Sequence, residues 1–457
     1  MYLRRIALRN FKCFESVDVE CSKFTLFTGA NSSGKSSLIY SVLGALQTKN
    51  FPFYFSPNGS YVNMGDFVEL ALNHRKTSPI GIKLELYDDD ADTALVFNGD
   101  FALSTATRLP KLSCLDVKSR ALDLSIKKDG KYKAEFNYRP KEDPMNLRQT
   151  PGFRPALQRF FTDIQKIEAE REKKAAKGKK ARTMNVTEFM HDFFADTTHD
   201  VFAFGGSADV FRQLSKRPSF GSHIRYVTGI LPQYERSFNY VSSFRLPPER
   251  TYYQRTKAAF KVEKFGENWV EQIVEWEQSK SRQLEKLKQA ARKLKLLYDV
   301  RSRRYAGGRY EIRVMPHDGR VEASLVDVGF GISQFLPILV ADTQLGKGSS
   351  LFVSQPEIHL HPSVQADFAD YLLENHRAEK KWYLLETHSE YLLNRFRALI
   401  AKGQLHEDDV AVYYLTMAKG QAKCHKLKFR SDGTIQGGPK EFFDTYMMDV
   451  MEIAMHA

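Results

Sequence analysis

The sequence predicts an α/β fold: a mostly parallel sheet flanked by helices, an antiparallel β subdomain near the N-terminus and an inserted helical region. Three observations lead there. Residues 2–28 alternate apolar and polar with strand periodicity, a glycine-rich turn then opens a run with helical spacing, and strand and helix patterns return after residue 310.

The opening alternation passes through Leu3, Ile6, Leu8 and Phe11, then Val17 and Val19, then Phe24, Leu26 and Phe27, which describes a β-meander. From Ser36 onward, Leu38, Ile39, Val42, Leu43 and Leu46 share one helix face. Residues 80–135 read as strands again, through Ile82, Leu84 and Leu86, then Leu95, Phe97 and Phe101, then Leu122, Leu124 and Ile126. Residues 152–215 are helix-like and contain the strongest charge run, Arg171–Arg182, with seven basic residues and one acidic. That run reads as a solvated loop; the alternative is a phosphate-binding arm, although no aromatic residue interrupts it to stack on bases. Between Glu267 and Asp299 the positions Leu284, Leu287, Ala291, Leu294 and Tyr298 form a coiled-coil-like seam. Glu277 and Lys280 interrupt it upstream, so a short helical hairpin or lid is expected and a long arm is not. The expected units are 1–135, 136–309 (the helical insertion) and 310–457.

Composition narrows the function classes. No stretch approaches the roughly 20 apolar residues of a membrane span, and the N-terminus does not read as a signal peptide. Cys13, Cys21, Cys114 and Cys424 are scattered without a CxxC pair, which speaks against zinc or a disulfide framework and points to a reducing cytoplasm. A net charge of +13, from 68 Lys plus Arg against 55 Asp plus Glu, favours an acidic partner: DNA, RNA or an acidic protein.

Residues Gly29-Ala-Asn31-Ser32-Ser33-Gly34-Lys35-Ser36 fit GxxxxGK[ST] at every fixed position, after an apolar strand and before a helix. The glycines let backbone N–H groups turn onto a phosphate at the positive end of the helix. Lys35 can reach the β- and γ-phosphates, and Ser36 can ligate Mg²⁺. ATP with Mg²⁺ is therefore the expected ligand, held by this loop and by the adjoining Ser37.

The flanking text is more specific. Ile6-Ala-Leu-Arg-Asn-Phe-Lys-Cys-Phe14 ahead of the GxNxxGKS loop resembles the opening of RecF, SMC and OLD-type ATPases. Asp327-Val-Gly-Phe-Gly331-Ile-Ser333-Gln334 resembles the signature segment of OLD-like ABC-type ATPases. Leu351-Phe-Val-Ser354-Gln355-Pro-Glu357-Ile-His-Leu-His361-Pro resembles their Walker B and D-loop, and Leu384-Leu-Glu-Thr-His388-Ser389 their H-loop. The resemblance implies ATP sandwiched between two copies of the chain, with Gly331, Ser333 and Gln334 contacting the γ-phosphate bound by the other copy and His388 contacting the γ-phosphate as well. It implies an even-numbered homo-oligomer, a hexamer being one candidate.

The sequence departs from that pattern where a metal-holding carboxylate and a catalytic Glu are usual: these positions read Ser354 and Gln355. Ser354, placed with Ser36 at the metal, supplies no charge, and Gln355 can orient a water but cannot accept its proton. Slow hydrolysis is the preferred reading. The alternatives are that a nearby carboxylate, Glu357 or another, has taken over, or that Gln355 is an engineered Glu-to-Gln trap.

Full-length OLD nucleases add a TOPRIM domain with a DxD pair, which the 69 residues after His388 lack. The ending Gly437-Gly-Pro-Lys-Glu-Phe-Phe-Asp resembles stand-alone OLD-like ATPases of bacterial defence loci, in particular the ATPase subunits of PARIS-type anti-phage systems. That resemblance implies a separate TOPRIM-type nuclease effector and an acidic trigger such as a phage DNA-mimic protein. The alternative is a RecF/SMC-type repair ATPase that binds DNA directly.

Overall fold

A computed structural model describes residues 1–143, 198–204, 221–253, 261–316, 321–438 and 455, apart from positions 50, 53, 130, 140 and 141. The charge run 171–182 and the segment 439–448 lie outside the described residues.

The chain opens with a hairpin of β1 (Tyr2–Phe11) and β2 (Phe14–Glu20), and then enters a second sheet as β3 (Phe24–Gly29). Helix α1 (Lys35–Leu46) and the one-turn α2 (Phe67–Leu70) follow. Strands β4 (Ile80–Asp88), β5 (Thr93–Leu103), β6 (Pro110–Lys118), β7 (Leu122–Asp129), β8 (Lys131–Tyr138) and β9 (Thr198–Phe204) then meander onto β1. Together they form an eight-stranded antiparallel sheet in the order β2-β1-β4-β5-β6-β7-β8-β9.

After α3 (Gly221–Arg236), β10 (Phe238–Val241) joins the second sheet as an edge strand. The strand β11 (Tyr252–Tyr253) precedes two helices, α4 (Trp269–Gln278) and α5 (Arg282–Lys293). Next come β12 (Asp299–Tyr305), β13 (Arg309–Met315) and β14 (Ala323–Ser324), which with β11 make a small third sheet. The last part alternates α6 (Phe330–Gln344), β15 (Ser350–Ser354), α7 (Pro362–Glu379), β16 (Trp382–Glu386) and α8 (Glu390–Ala401). It ends in β17 (Val410–Ala418), β18 (Gln421–Phe429) and β19 (Ile435–Gln436).

The second sheet runs β10-β15-β16-β3-β17-β18-β19, parallel from β10 through β17 and antiparallel beyond. Its central strands are apolar on both sides because each face covers a different core. Phe27, Phe352, Leu384 and Tyr413 pack with α1, α3 and the antiparallel sheet. Their neighbours Phe24, Leu26, Val353, Leu385 and Val412 pack with helices α4 to α8. A one-residue slip in any of these strands would exchange the two sets.

The expectation of a helical insertion over 136–309 needs correction in the described residues. Position 135 falls inside β8, β9 extends the antiparallel sheet, β10 belongs to the parallel sheet, and β11 and β12 form the third. The reason is compositional. Phe238-Asn-Tyr-Val241 is too short to display a period, and Asp299-Val-Arg-Ser-Arg-Arg-Tyr305 is too arginine-rich to read as a half-buried strand. The single stretch expected from Glu267 to Asp299 is two helices broken at Ser279–Ser281, next to the interruption at Lys280, where Ser281 accepts from the Gln283 N–H as the α5 cap. Four seam positions, Leu284, Leu287, Ala291 and Leu294, are buried against the second core, but Tyr298 lies past the helix and is half exposed beneath Arg292.

The signature-like helix α6 is fixed at its C-terminal end by a buried polar knot. Asp342 accepts from the hydroxyls of Tyr371 (2.6 Å) and Tyr383 (3.2 Å) and from the Asn375 amide (2.7 Å), and the Lys381 ammonium donates to its carbonyl (2.6 Å). A buried carboxylate left unpaired would be strongly destabilising, so the knot ties α6 to α7 and β16.

Two substitutions separate seam from surface. Leu287→Ala, at a fully buried site, is expected to cost roughly 2–5 kcal/mol, whereas Tyr298→Ala stays within about 0.5–1 kcal/mol; urea unfolding of both proteins measures the difference.

Candidate nucleotide site

The phosphate loop connects β3 to α1 at the C-terminal edge of the parallel sheet. Gly29 has φ +130° and its missing Cβ would stand 2.1 Å from the Leu415 carbonyl oxygen, so the close approach of β17 requires glycine. Gly34, at φ +98°, caps α1, and a Cβ there would meet Cys13 Sγ at 2.6 Å. The Lys35 ammonium lies over the loop and donates to the carbonyls of Gly29 (3.1 Å) and Ala30 (2.7 Å). Burial pulls it below the ordinary lysine value, while Glu386 and Glu357 oppose that shift. The Ser33 hydroxyl is buried with no partner among the described residues.

These residues border a cavity of about 740 Å³ lined by Asn31, Ser32, Ser33, Gly34, Lys35, Ser36 and Ser37 from the loop. Gln355, Glu386 and His388 line it from the neighbouring strand ends. The volume, the cationic floor, the orphaned hydroxyl and the helix N-terminus suit a nucleoside triphosphate.

Several expected residues stand elsewhere. Ser354 is 3% exposed and does not line the cavity; its hydroxyl donates to Glu386 Oε2 at 2.9 Å. Glu357 has both carboxylate oxygens engaged by the next loop, accepting from Thr387 Oγ1 (2.9 Å) and from the His388 N–H (2.6 Å). It therefore acts as a brace between the segment after β15 and the segment after β16. Burial, first among its causes, raises the Glu357 carboxyl above its ordinary value. His388 is held below the ordinary imidazole value by burial and then by the Lys35 charge, which favours a neutral ring.

Gly331, Ser333 and Gln334 do not line the cavity of their own chain. Ser333 is 2% exposed and donates to the Phe330 carbonyl (2.8 Å), Gln334 donates to the Leu246 carbonyl (3.2 Å), and a Cβ on Gly331 would strike the His359 carbonyl oxygen at 2.2 Å. The exposed residues at the start of α6 are Gly329 and Phe330, the latter set edge-on to His359.

Sequence reasoning missed Glu386 and Arg245. Glu386 closes β16 and joins the hydroxyls of Ser36 (2.7 Å) and Ser354 (2.9 Å). Its mark in the sequence is an acid ending an apolar strand two residues before His388. Arg245 is buried and donates to the carbonyls of Ser242, Ser354 and Gln355, holding the segment on which Gln355 adopts φ +49°. Nothing local in Phe244-Arg-Leu-Pro announces that contact.

A P-loop at the edge of parallel strands, opening on a cavity floored by lysine, defines a P-loop nucleotide-binding protein. The comparisons agree. Residues 1–204 and 245–393 match the AAA ATPase domain family, so the chain belongs to that family and is an ATPase. Among solved structures it is similar to the SMC head domain from Thermotoga maritima, at 10% identity and TM-score 0.37, covering 93% of this chain and 98% of that one. It is similar also to the Smc head domain with an extended coiled coil from Pyrococcus furiosus, bound there to the C-terminal domain of ScpA, at 12% identity and TM-score 0.40, covering 99% of each. Likenesses this distant carry no argument about function or partners. No curated protein matches the chain. Among the described residues no helix is long and apolar enough to cross a membrane.

Two outcomes follow. Lys35→Ala should weaken ATP binding about 100-fold or more, the worth of roughly two charge-assisted hydrogen bonds, measured by titration calorimetry. Because burial raises the Glu357 carboxyl in the fold, its contribution to stability is present below the ordinary carboxylate value and is lost as pH rises through the raised one. Glu357→Gln should therefore flatten the pH dependence of the melting temperature above the ordinary carboxylate range.

Proposed function

We propose that this chain is an ATP-occupancy switch in which ATP and Mg²⁺ are held between two copies and hydrolysed slowly. The carrying observation is that the cavity contains Gln355 where a proton acceptor would be expected, while Glu357 is committed to Thr387 and His388. An amide can align a water but cannot take its proton, and general-base assistance is typically worth 10²–10⁴-fold. The segment beginning α6 stays outside the cavity of its own chain, so its helix N-terminus is free to complete the site of a second copy.

Magnesium fits the residues present. Among the described residues no group of three or more His, Cys, Asp or Glu could hold a metal. An ion here would therefore take most of its ligands from phosphates and water, as Mg²⁺ does. Bound there, it would neutralise charge developing on the phosphates.

The biological reading follows the stand-alone OLD-like pattern. In it, the ATPase acts in the cytoplasm as the sensor subunit of a PARIS-like anti-phage complex with an even number of copies, a hexamer being one candidate. It holds a separate TOPRIM-type nuclease and releases it on meeting an acidic trigger such as a phage DNA mimic. The net charge of +13 supports an acidic partner, and it supports equally a RecF/SMC-type ATPase that binds DNA itself.

Purification with the genomic neighbours, and mass measurement with and without ATP-Mg, decides between them. A large complex containing a nuclease is the expected result; a lone chain that dimerises with ATP and binds DNA with a steep salt dependence would replace the sensor by the repair-type clamp. For the chemistry, Gln355→Glu should raise single-turnover phosphate release about 100-fold or more; an unchanged rate would show that the missing base does not limit turnover.

A further inference from the structure

The residue paired with the nucleotide serine is not on the strand where the sequence would place it. Three strand ends meet at the cavity: β3, which feeds the phosphate loop, then β16, then β15. In the parallel ladders Glu386 is level with Phe27 of β3 on one side and with Ser354 of β15 on the other. It is therefore the last residue of the strand lying between the P-loop and the position expected to hold the metal. From there its two oxygens divide: Oε1 accepts from the Ser36 hydroxyl at 2.7 Å and Oε2 from the Ser354 hydroxyl at 2.9 Å. Glu386 is 6% exposed yet lines the cavity beside Gln355 and His388.

P-loop ATPases hold Mg²⁺ with the P-loop Ser or Thr and a carboxylate at a strand end, the rest of an octahedron coming from phosphate and water. Of the two carboxylates that line this cavity among the described residues, Glu69 and Glu386, it is Glu386 that bonds Ser36. Resting on the reading that ATP binds at the P-loop, we propose that Glu386 is the protein's magnesium carboxylate, transferred one strand across the sheet from the position now held by Ser354.

The exchange explains why Ser354 is not acidic. An acid there would face Glu386 at the same ladder position in a buried site, and two carboxylates that close cannot both stay ionised without a cation. A serine donates instead and turns the Glu386 oxygens into a fixed geometry. Bound metal would take the Glu386 oxygen that now accepts from Ser36 and would leave the Ser354 bond intact. Ser354 is thus a positioning residue and Glu386 a ligand.

The test uses Mn²⁺ as the probe and reads binding, not turnover. Electron paramagnetic resonance measures Mn²⁺ affinity in the ternary complex with ATP, and calorimetry in EDTA measures ATP alone. Glu386→Gln is expected to lose at least tenfold in Mn²⁺ affinity while metal-free ATP affinity stays within about twofold. The double exchange Ser354→Asp with Glu386→Ser is expected to recover most of that loss relative to Glu386→Ser alone. Wild-type Mn²⁺ affinity in Glu386→Gln would overturn the assignment, and an exchange variant no better than Glu386→Ser would overturn the strand transfer. Failure of wild-type protein to bind ATP in either condition would instead overturn the P-loop reading beneath it.

Discussion

The nucleotide site depends on one piece of strand pairing: β16 lies between β3 and β15, parallel to both and in step with each. That arrangement brings the Lys35 loop, Glu386, Gln355 and His388 to the same edge of the sheet from segments more than 300 residues apart in the chain. It also demands that β3, β15 and β16 be apolar on both faces, because one face closes the core against the antiparallel sheet and the other the core against the helices. Disturbing either core would move the strand ends and with them the site.

Polar contacts then couple the segments that follow these strands. Glu357 spans from the turn after β15 to Thr387 and His388 after β16, and Arg245 clasps the carbonyls of Ser354 and Gln355 from the side of β10. The Asp342 knot joins α6 to the start of β16 through Lys381 and Tyr383. Helix α6 and the strand carrying Glu386 are therefore parts of one packed unit, which the proposed switch requires if phosphate occupancy is to change how copies associate.

Much of this was legible in the sequence because it depends on local chemistry. The phosphate loop reads clearly since its glycines answer to backbone constraints that no other residue meets, and the seam from Leu284 to Leu294 reads clearly since helical spacing alone defines a buried stripe. What stayed hidden is what only pairing creates. A search for the metal carboxylate along β15 finds Ser354 and stops; Glu386 becomes visible once β16 is known to stand between Ser354 and Ser36. In the same way Phe238–Val241 and the arginine-rich Asp299–Tyr305 give no strand period, and only their partners β15 and β13 make them strands.

The central claim is that this ATPase assembles its phosphate and metal site from the P-loop and the end of β16. The most direct measurement is a crystal structure with ATP and Mn²⁺, with the metal located by anomalous scattering. The account predicts a peak about 2 Å from both Ser36 Oγ and a Glu386 oxygen, with Ser354 still donating to the other oxygen. A metal bound by Ser36 and another carboxylate, with Glu386 turned away, would contradict it.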